Sequence, residues 1–231
     1  MTDRRNHAIF IARKLLSESV FNMSSHEGNP FTFVEVKTLL DGVTVGGRRL
    51  SDQDQILRIS NAWEYLINSV AHEIFSLTKE FTLNLHGILA KNEVLKWGKF
   101  RDGPVTIAGT DYQPPSAEIL SDKFEQMVRK ADSIIDVREK AIEVFLDCAR
   151  AQFFFDGNKR TGQLLMNGLL MSDAQSIISI PARSALEYNT KMLRFYDSGD
   201  ETEMRYFLIN CQDRLRATLQ EKSEQDSSLT R

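Results

Sequence analysis

The sequence predicts an all-α domain, a bundle of helices with one small β-hairpin. Three observations carry that reading. Apolar residues return at three- and four-residue spacing through most of the chain, the period of a helix with one buried face. Turn formers cluster between those stretches rather than inside them. One region, Trp97 to Pro115, departs from the pattern: two turn clusters flank Val105-Thr106-Ile107, the layout of a short hairpin. At 231 residues the chain has room for one large domain or a domain with an arm. It shows no internal repeat and no linker long enough to separate a pair of domains. The expected division is a helical arm over 1–50, a core over 51–220 and a disordered tail over 221–231, all in one structural unit.

Taken in order, residues 3–22 place Ala8, Ile11, Ala12, Leu15, Leu16 and Val20 on one helical face. The turn-rich stretch Asn22 to Pro30 ends that helix, and a second runs from Phe31 to Leu40 before Asp41-Gly42. Val43-Thr44-Val45 reads as a short extended piece. Helical spacing resumes from Ser51 to Phe75, with Ser51 and Asp54 as an imperfect capping pair. A helix over Thr78–Leu89 precedes the hairpin. Ser116 caps the next, Ala117 to Ala131. Residues 137–154 and 159–172 form two central helices, the second apolar on most sides as a buried helix is. Pro181 opens a stretch to Tyr196, and Glu201–Leu219 closes the bundle before a polar, frayed tail.

Composition narrows the function classes. Hydrophobic content of 42% and charged content of 26% are ordinary for a globular domain. A net charge of −3 argues against general nucleic-acid binding, which calls for a basic surplus. No apolar run approaches a membrane span, and the N-terminal apolar piece is too short for a signal peptide. Cys148 and Cys211 lie within helical patterns and read as buried thiols in a reducing compartment. The expected location is cytoplasmic.

Chemistry concentrates between the two central helices, in Gln152 to Gln163: Gln-Phe-Phe-Phe-Asp-Gly-Asn-Lys-Arg-Thr-Gly-Gln. Asn158 suits the start of a helix, whose first N–H groups are unpaired. Gly157 allows a tight turn and close approach to a ligand. Lys159 and Arg160 add positive charge beside those donors, so the loop suits a phosphate. Asp156 suits magnesium, which takes one or two carboxylates plus substrate phosphates. The plainer reading, a capped turn between two helices, stays open at the level of these residues.

With its surroundings, the stretch resembles the Fic family (the Fic/Doc fold), whose motif reads His-Pro-Phe-x-Asp/Glu-Gly-Asn-Gly/Lys-Arg-x-x-Arg. Phe154, Asp156, Gly157, Asn158, Lys159 and Arg160 match it. Glu27-Gly28-Asn29 before Phe31-Thr32-Phe33 is similar to the inhibitory segment of members that carry their own N-terminal inhibitor. Leu85-His86 also fits, as does Phe100-Arg101 through Pro114-Pro115, the family's flap over the target groove. The likeness spans roughly residues 10–215. It implies transfer of AMP from ATP, with Mg2+, to a Ser, Thr or Tyr hydroxyl of a target protein. It also implies roles: Asp156 for the metal, and Gly157, Asn158, Lys159, Arg160 and the position of Gln163 for the phosphates. Glu27 would inhibit, and Val105, Thr106 and Ile107 would pin a target segment by strand-like pairing.

Three motif positions differ. Gln152 stands where the family has its catalytic histidine, and an amide has no usable basic form. A positioned base contributes roughly 10²–10⁴-fold, so AMP transfer is expected to be weak or absent. Gln163 replaces the second arginine, the expected partner of Glu27, and Met23 replaces the family's Ser/Thr four residues before that glutamate. Phe153 replaces the proline. His26 is the one histidine in a segment the fold brings near the nucleotide, and it is weighed as a poor substitute base. His86 reads as structural, Trp63 and Trp97 as packing, and Phe153-Phe154-Phe155 as core with one ring beside the pocket.

Three functions follow. The first is a Fic-type ATP- and magnesium-binding protein with a crippled base. The second is a non-catalytic interaction module using the flap groove. The third is a transferase of altered chemistry, such as Doc-like phosphotransfer, suggested by Lys159. The target, and whether the chain forms a homo-oligomer, are left open.

Overall fold

The computed structural model describes residues 2–229, which form ten α-helices and no β-strand among the described residues. They are α1 (Thr2–Lys14), α2 (Leu16–His26), α3 (Phe33–Leu40), α4 (Leu50–Ala71), α5 (Lys79–Leu89), α6 (Leu120–Ser133), α7 (Val137–Ala151), α8 (Asn158–Ser172), α9 (Ala185–Ser198) and α10 (Thr202–Leu229). No described helix is long and apolar enough to cross a membrane.

The bundle is arranged about α8. Its sequence is apolar on most sides because it lies between two cores. Leu164 and Leu165 join a cluster with Ile56, Trp63 and Leu66 of α4 and Leu85 of α5. Met166 and Leu170 join a second cluster with Phe145 of α7, Tyr188 and Phe195 of α9 and Leu208 of α10. Each such side chain contributes about 1.5–3 kcal/mol on burial. Against α7 the fit is closest at Gly162, where an added Cβ would meet the Cys148 Cβ at 3.0 Å and the Phe145 ring at 3.2 Å. Both cysteines are free and buried.

Local signals set several helix starts. Thr32 and Glu35 form a reciprocal capping box on α3, and Thr78 and Asp136 accept from the backbone N–H three residues on at α5 and α7. Ser51 does not cap α4: Arg49 holds that position with no side-chain bond. Ser116 precedes a 3₁₀ turn over Ala117–Ile119, again without a side-chain cap, so α6 begins at Leu120.

Four other expectations change. The first helix bends at Leu15 and continues to His26, because tertiary contacts override the turn formers. Met23 and Ser24 are buried there, and Asn22 accepts from the Ala182 N–H and donates to Ser179. Val43–Val45 stays irregular between two turns. α10 runs on to Leu229, through most of the stretch expected to be frayed; Glu221, Glu224 and Gln225 are fair helix formers. Thr230 and Arg231 lie outside the described residues.

The fourth is the hairpin. Residues 103–115 form an irregular strap, with no backbone ladder on Val105–Ile107. Pro104, Pro114 and Pro115 remove donors at both ends, and each arm has about three residues left to pair, too few for an isolated ribbon. Side chains hold the strap instead. Thr110 donates to Asp197, Arg150 lies over the Tyr112 ring at 4.6 Å, and Tyr112 stacks on Tyr196 at 6.3 Å.

Candidate functional site

Between α7 and α8 the chain must reverse in six residues, and it does so by a dense set of local bonds. α7 ends at Gln152, which takes a left-handed conformation (φ 49°, ψ 62°) unusual for a residue with a side chain. Such a corner persists only when its surroundings over-determine it. Here the Gln152 N–H donates to Cys148 and its Nε2 donates to the Ala149 carbonyl at 2.6 Å. Its Oε1 accepts from Asn158 Nδ2 at 2.9 Å, and its carbonyl accepts from Arg101 at 2.6 Å.

Asn158 is not the cap. Gly157, at φ 76°, occupies that position, and Asn158 is the first residue of α8. Its amide turns back into the loop, accepting from the Phe154 N–H and donating to the Phe154 carbonyl, both at 2.8 Å. α8 therefore starts with no side-chain cap, and its first backbone hydrogen bond runs from Thr161 N–H to Gly157. The N–H groups of Asn158, Lys159 and Arg160 precede that bond and have no partner within the helix.

Beneath the loop lies His86, fully buried and stacked on Phe154 at 3.6 Å with 8° between the planes. The Gly98 N–H donates to its Nδ1, which fixes the tautomer, so Nε2–H donates to the Asp156 carbonyl at 3.1 Å. Burial lowers its pKa to about 4, and the ring stays neutral at physiological pH. The structural role expected of His86 is thus support of the loop itself.

The loop opens onto a cavity of about 310 Å³. Gln152, Asp156, Gly157, Asn158 and Lys159 line its floor. Thr106 and Ile107 of the strap roof it, Phe155 is the ring of the Phe triplet that borders it, and Tyr196 and Met192 of α9 form a wall. Asp156 keeps a half-exposed carboxylate there while accepting from the Gly157 N–H at 2.6 Å. Val105 is outside the lining residues.

Arg160 and Gln163 are placed elsewhere. Arg160, 1% exposed, points behind the loop, with Nη1 on Glu93 at 2.9 Å and Nη2 on Asp156 at 3.3 Å. Burial alone would lower its pKa; the fields of Glu27, Glu93 and Asp156 outweigh it and hold the charge. Gln163 is buried, 3.5 Å from the Tyr188 hydroxyl. His26 donates to the Ile180 carbonyl at 3.0 Å, lies against Tyr188, and does not line the cavity. Trp63 is core, whereas Trp97 is partly exposed.

Glu27 reaches the cavity from the end of α2, and its Oε1 lies 3.8 Å from Lys159 Nζ. Sequence reasoning sought its partner at position 163 and missed this one. The signal was present: positions 159 and 163 are one turn apart on α8 and share a face. Arg101 was also missed as a contributor; it is buried, and its guanidinium reaches the Gln152 carbonyl.

Comparison with known proteins agrees with this architecture. Residues 76–170 match the Fic/DOC family. The chain is 26% identical over 213 residues to the protein adenylyltransferase Fic of Drosophila mojavensis, across 87% of this chain and 41% of that protein. The Drosophila melanogaster protein of the same name is 26% identical over 212 residues. The chain thus spans less than half the length of the curated relatives it matches. Among solved structures, a Fic-domain-containing signaling protein from Bacteroides thetaiotaomicron superposes with a TM-score of 0.74 at 21% identity, over 87% of this chain and 84% of that one. Fic-1 of C. elegans gives 0.76 at 20% identity, over 95% and 67%. The helical order, the loop between α7 and α8 and these matches agree: residues 76–170, which hold that loop, are similar to the Fic/DOC family, and the chain has the fold of the Fic-domain structures.

Proposed function

We propose that the cavity binds ATP with magnesium, and that the chain transfers AMP to a protein hydroxyl weakly or not at all. One observation carries the binding half: α8 begins without a side-chain cap, and Asn158 and Lys159 at its head line the cavity beside Asp156 and Gly157. A helix N-terminus of that kind favours phosphate through both its donors and its dipole. The cavity volume falls within the range of small-molecule sites. Asp156 is the one carboxylate of the loop and is open to solvent, which suits an ion that completes its shell with phosphate oxygens. Magnesium bound there would neutralise phosphate charge. Gly157, Asn158 and Lys159 would hold the phosphates directly, and Arg160 would act on them through its field from behind the loop.

The catalytic half rests on Gln152. Its side chain donates at one end and accepts at the other, both within the loop. An amide so engaged takes no proton from an attacking hydroxyl. Glu27 adds a brake, since its carboxylate lies beside Lys159 and competes with a phosphate for it. Its replacement by Gln is expected to tighten ATP binding.

The test is a calorimetric titration of ATP with Mg2+, followed by target labelling from α-labelled ATP. The unmodified protein binds, Lys159→Ala binds about tenfold more weakly, and Gln152→His gains labelling by roughly 10²-fold or more. An unmodified protein that fails to bind ATP sinks the nucleotide reading and leaves partner capture by the strap as the remaining function. Robust labelling without the Gln152→His change sinks the catalytic half.

A further inference from the structure

The strap that roofs the cavity has no strand pairing to hold it, yet both of its ends are fixed by one side chain. Arg101 is 3% exposed and forms no ion pair among the described residues. Its three guanidinium nitrogens all donate to backbone carbonyls. Nη1 donates to Gly103 at 2.8 Å and Nη2 to Pro115, at the two ends of the loop. Nε donates to Gln152 at 2.6 Å, at the left-handed corner that ends α7. Its own N–H donates to the Phe153 carbonyl at 2.9 Å. Burial lowers its pKa, opposed by the field of Glu118. A buried cation spent wholly on peptide oxygens is costly, and it satisfies carbonyls that would otherwise be orphaned at a proline-rich loop base.

We propose that Arg101 is a positioning residue: it closes the base of the 103–115 strap and locks it to the Gln152 corner, so setting the height of Thr106–Ala108 over the floor of the cavity. The planar fork is what the geometry requires. Three carbonyls in three directions match the fixed donors of a guanidinium, whereas an ammonium at the end of a flexible stem serves one or two of them. The consequence for ligand affinity rests on the nucleotide reading above; the hold on the strap does not.

Backbone ¹⁵N relaxation on the unmodified protein and on Arg101→Lys tests this. In the unmodified protein the amides of Val105–Asp111 are expected to show order parameters near those of the helices. In Arg101→Lys they fall below about 0.6 while α7 and α8 keep their values. Unchanged strap values overturn the proposal, and so does a loosening shared equally by the helices, which would mean a merely structural residue. Should the variant not fold, the unmodified protein still decides. A slowly exchanging Arg101 Nε–H resonance supports the buried bond to Gln152, and rapid exchange with water overturns it. In the same samples ATP with Mg2+ is expected to bind Arg101→Lys at least about tenfold more weakly, and equal affinity overturns the link from strap to cavity. If the unmodified protein binds no ATP, the nucleotide reading fails by itself, and the order parameters alone decide Arg101.

Discussion

The floor and the roof of the cavity are built by opposite means. The floor, Gln152 to Asn158, is held at almost every residue: a reciprocal amide network, two left-handed corners at Gln152 and Gly157, and a buried imidazole wedged beneath. The roof, residues 103–115, has no ladder and hangs from Arg101, Thr110 and Tyr112. A site that must present fixed donors to a charged ligand gains from the first design, because preorganised dipoles cost nothing to reorganise. One that must admit a variable polypeptide segment gains from the second, because local opening draws on the least stable elements. Changes in the floor should therefore cost global stability, and changes in the roof should cost little.

The largest effect is expected at His86. His86→Ala empties a fully buried site, removes the stack on Phe154 and strands the Gly98 N–H and the Asp156 carbonyl. Together these should cost about 4 kcal/mol in urea unfolding. A loss below about 1 kcal/mol would mean that the floor is not built on this ring.

The same residue gives a pH dependence of definite sign. Its folded pKa, about 4, lies below its ordinary 6.5, so the unfolded chain binds the extra proton first. Stability from this group is complete above pH 6.5 and is lost as pH falls toward 4, by up to roughly 3 kcal/mol. Asp147, raised to about 6 by burial, acts in the opposite direction over some of that window. The comparison must therefore be between the unmodified protein and His86→Gln, in which the Asp147 contribution cancels. Equal pH profiles for the two would contradict the assignment.

Glu93→Gln comes next. It leaves the buried Arg160 with Asp156 as its remaining ion pair, beside the weaker support of the Glu27 field, and about 2 kcal/mol should be lost in the same assay. In the roof, Thr110→Ala removes the tie to Asp197 at an exposed position and should cost no more than about 0.5 kcal/mol. A larger loss there would erase the contrast between the two regions.

Much of the fold was legible because helical periodicity is a local property. The buried α8 was visible in its run of apolar residues, but the caps were misread: Ser51, Ser116 and Asn158 make no cap bond, while Thr32, Thr78 and Asp136 do. What escaped was long-range and side-chain-specific. The extension of α2 to His26 depends on Asn22 meeting Ser179 and Ala182, some 160 residues away. The hairpin was read from a turn pattern that a strap shares. Arg101 sat inside a turn cluster, and nothing periodic announces a guanidinium that reaches carbonyls from position 103 to position 152. In the site, the motif located the loop, but a motif gives no side-chain direction. Arg160 therefore looked like an open phosphate ligand until its partner Glu93 was seen, and Lys159 was not connected with Glu27.

The measurement closest to the central claim is amide hydrogen exchange, followed residue by residue, with and without ATP and Mg2+. The uncapped start of α8 should be where the ligand is felt: the amides of Asn158, Lys159 and Arg160 slow by at least about tenfold, while those of α4 remain unchanged. If those three amides exchange at the same rate with millimolar ATP and Mg2+ present, the head of α8 is not a phosphate site, and the account is contradicted.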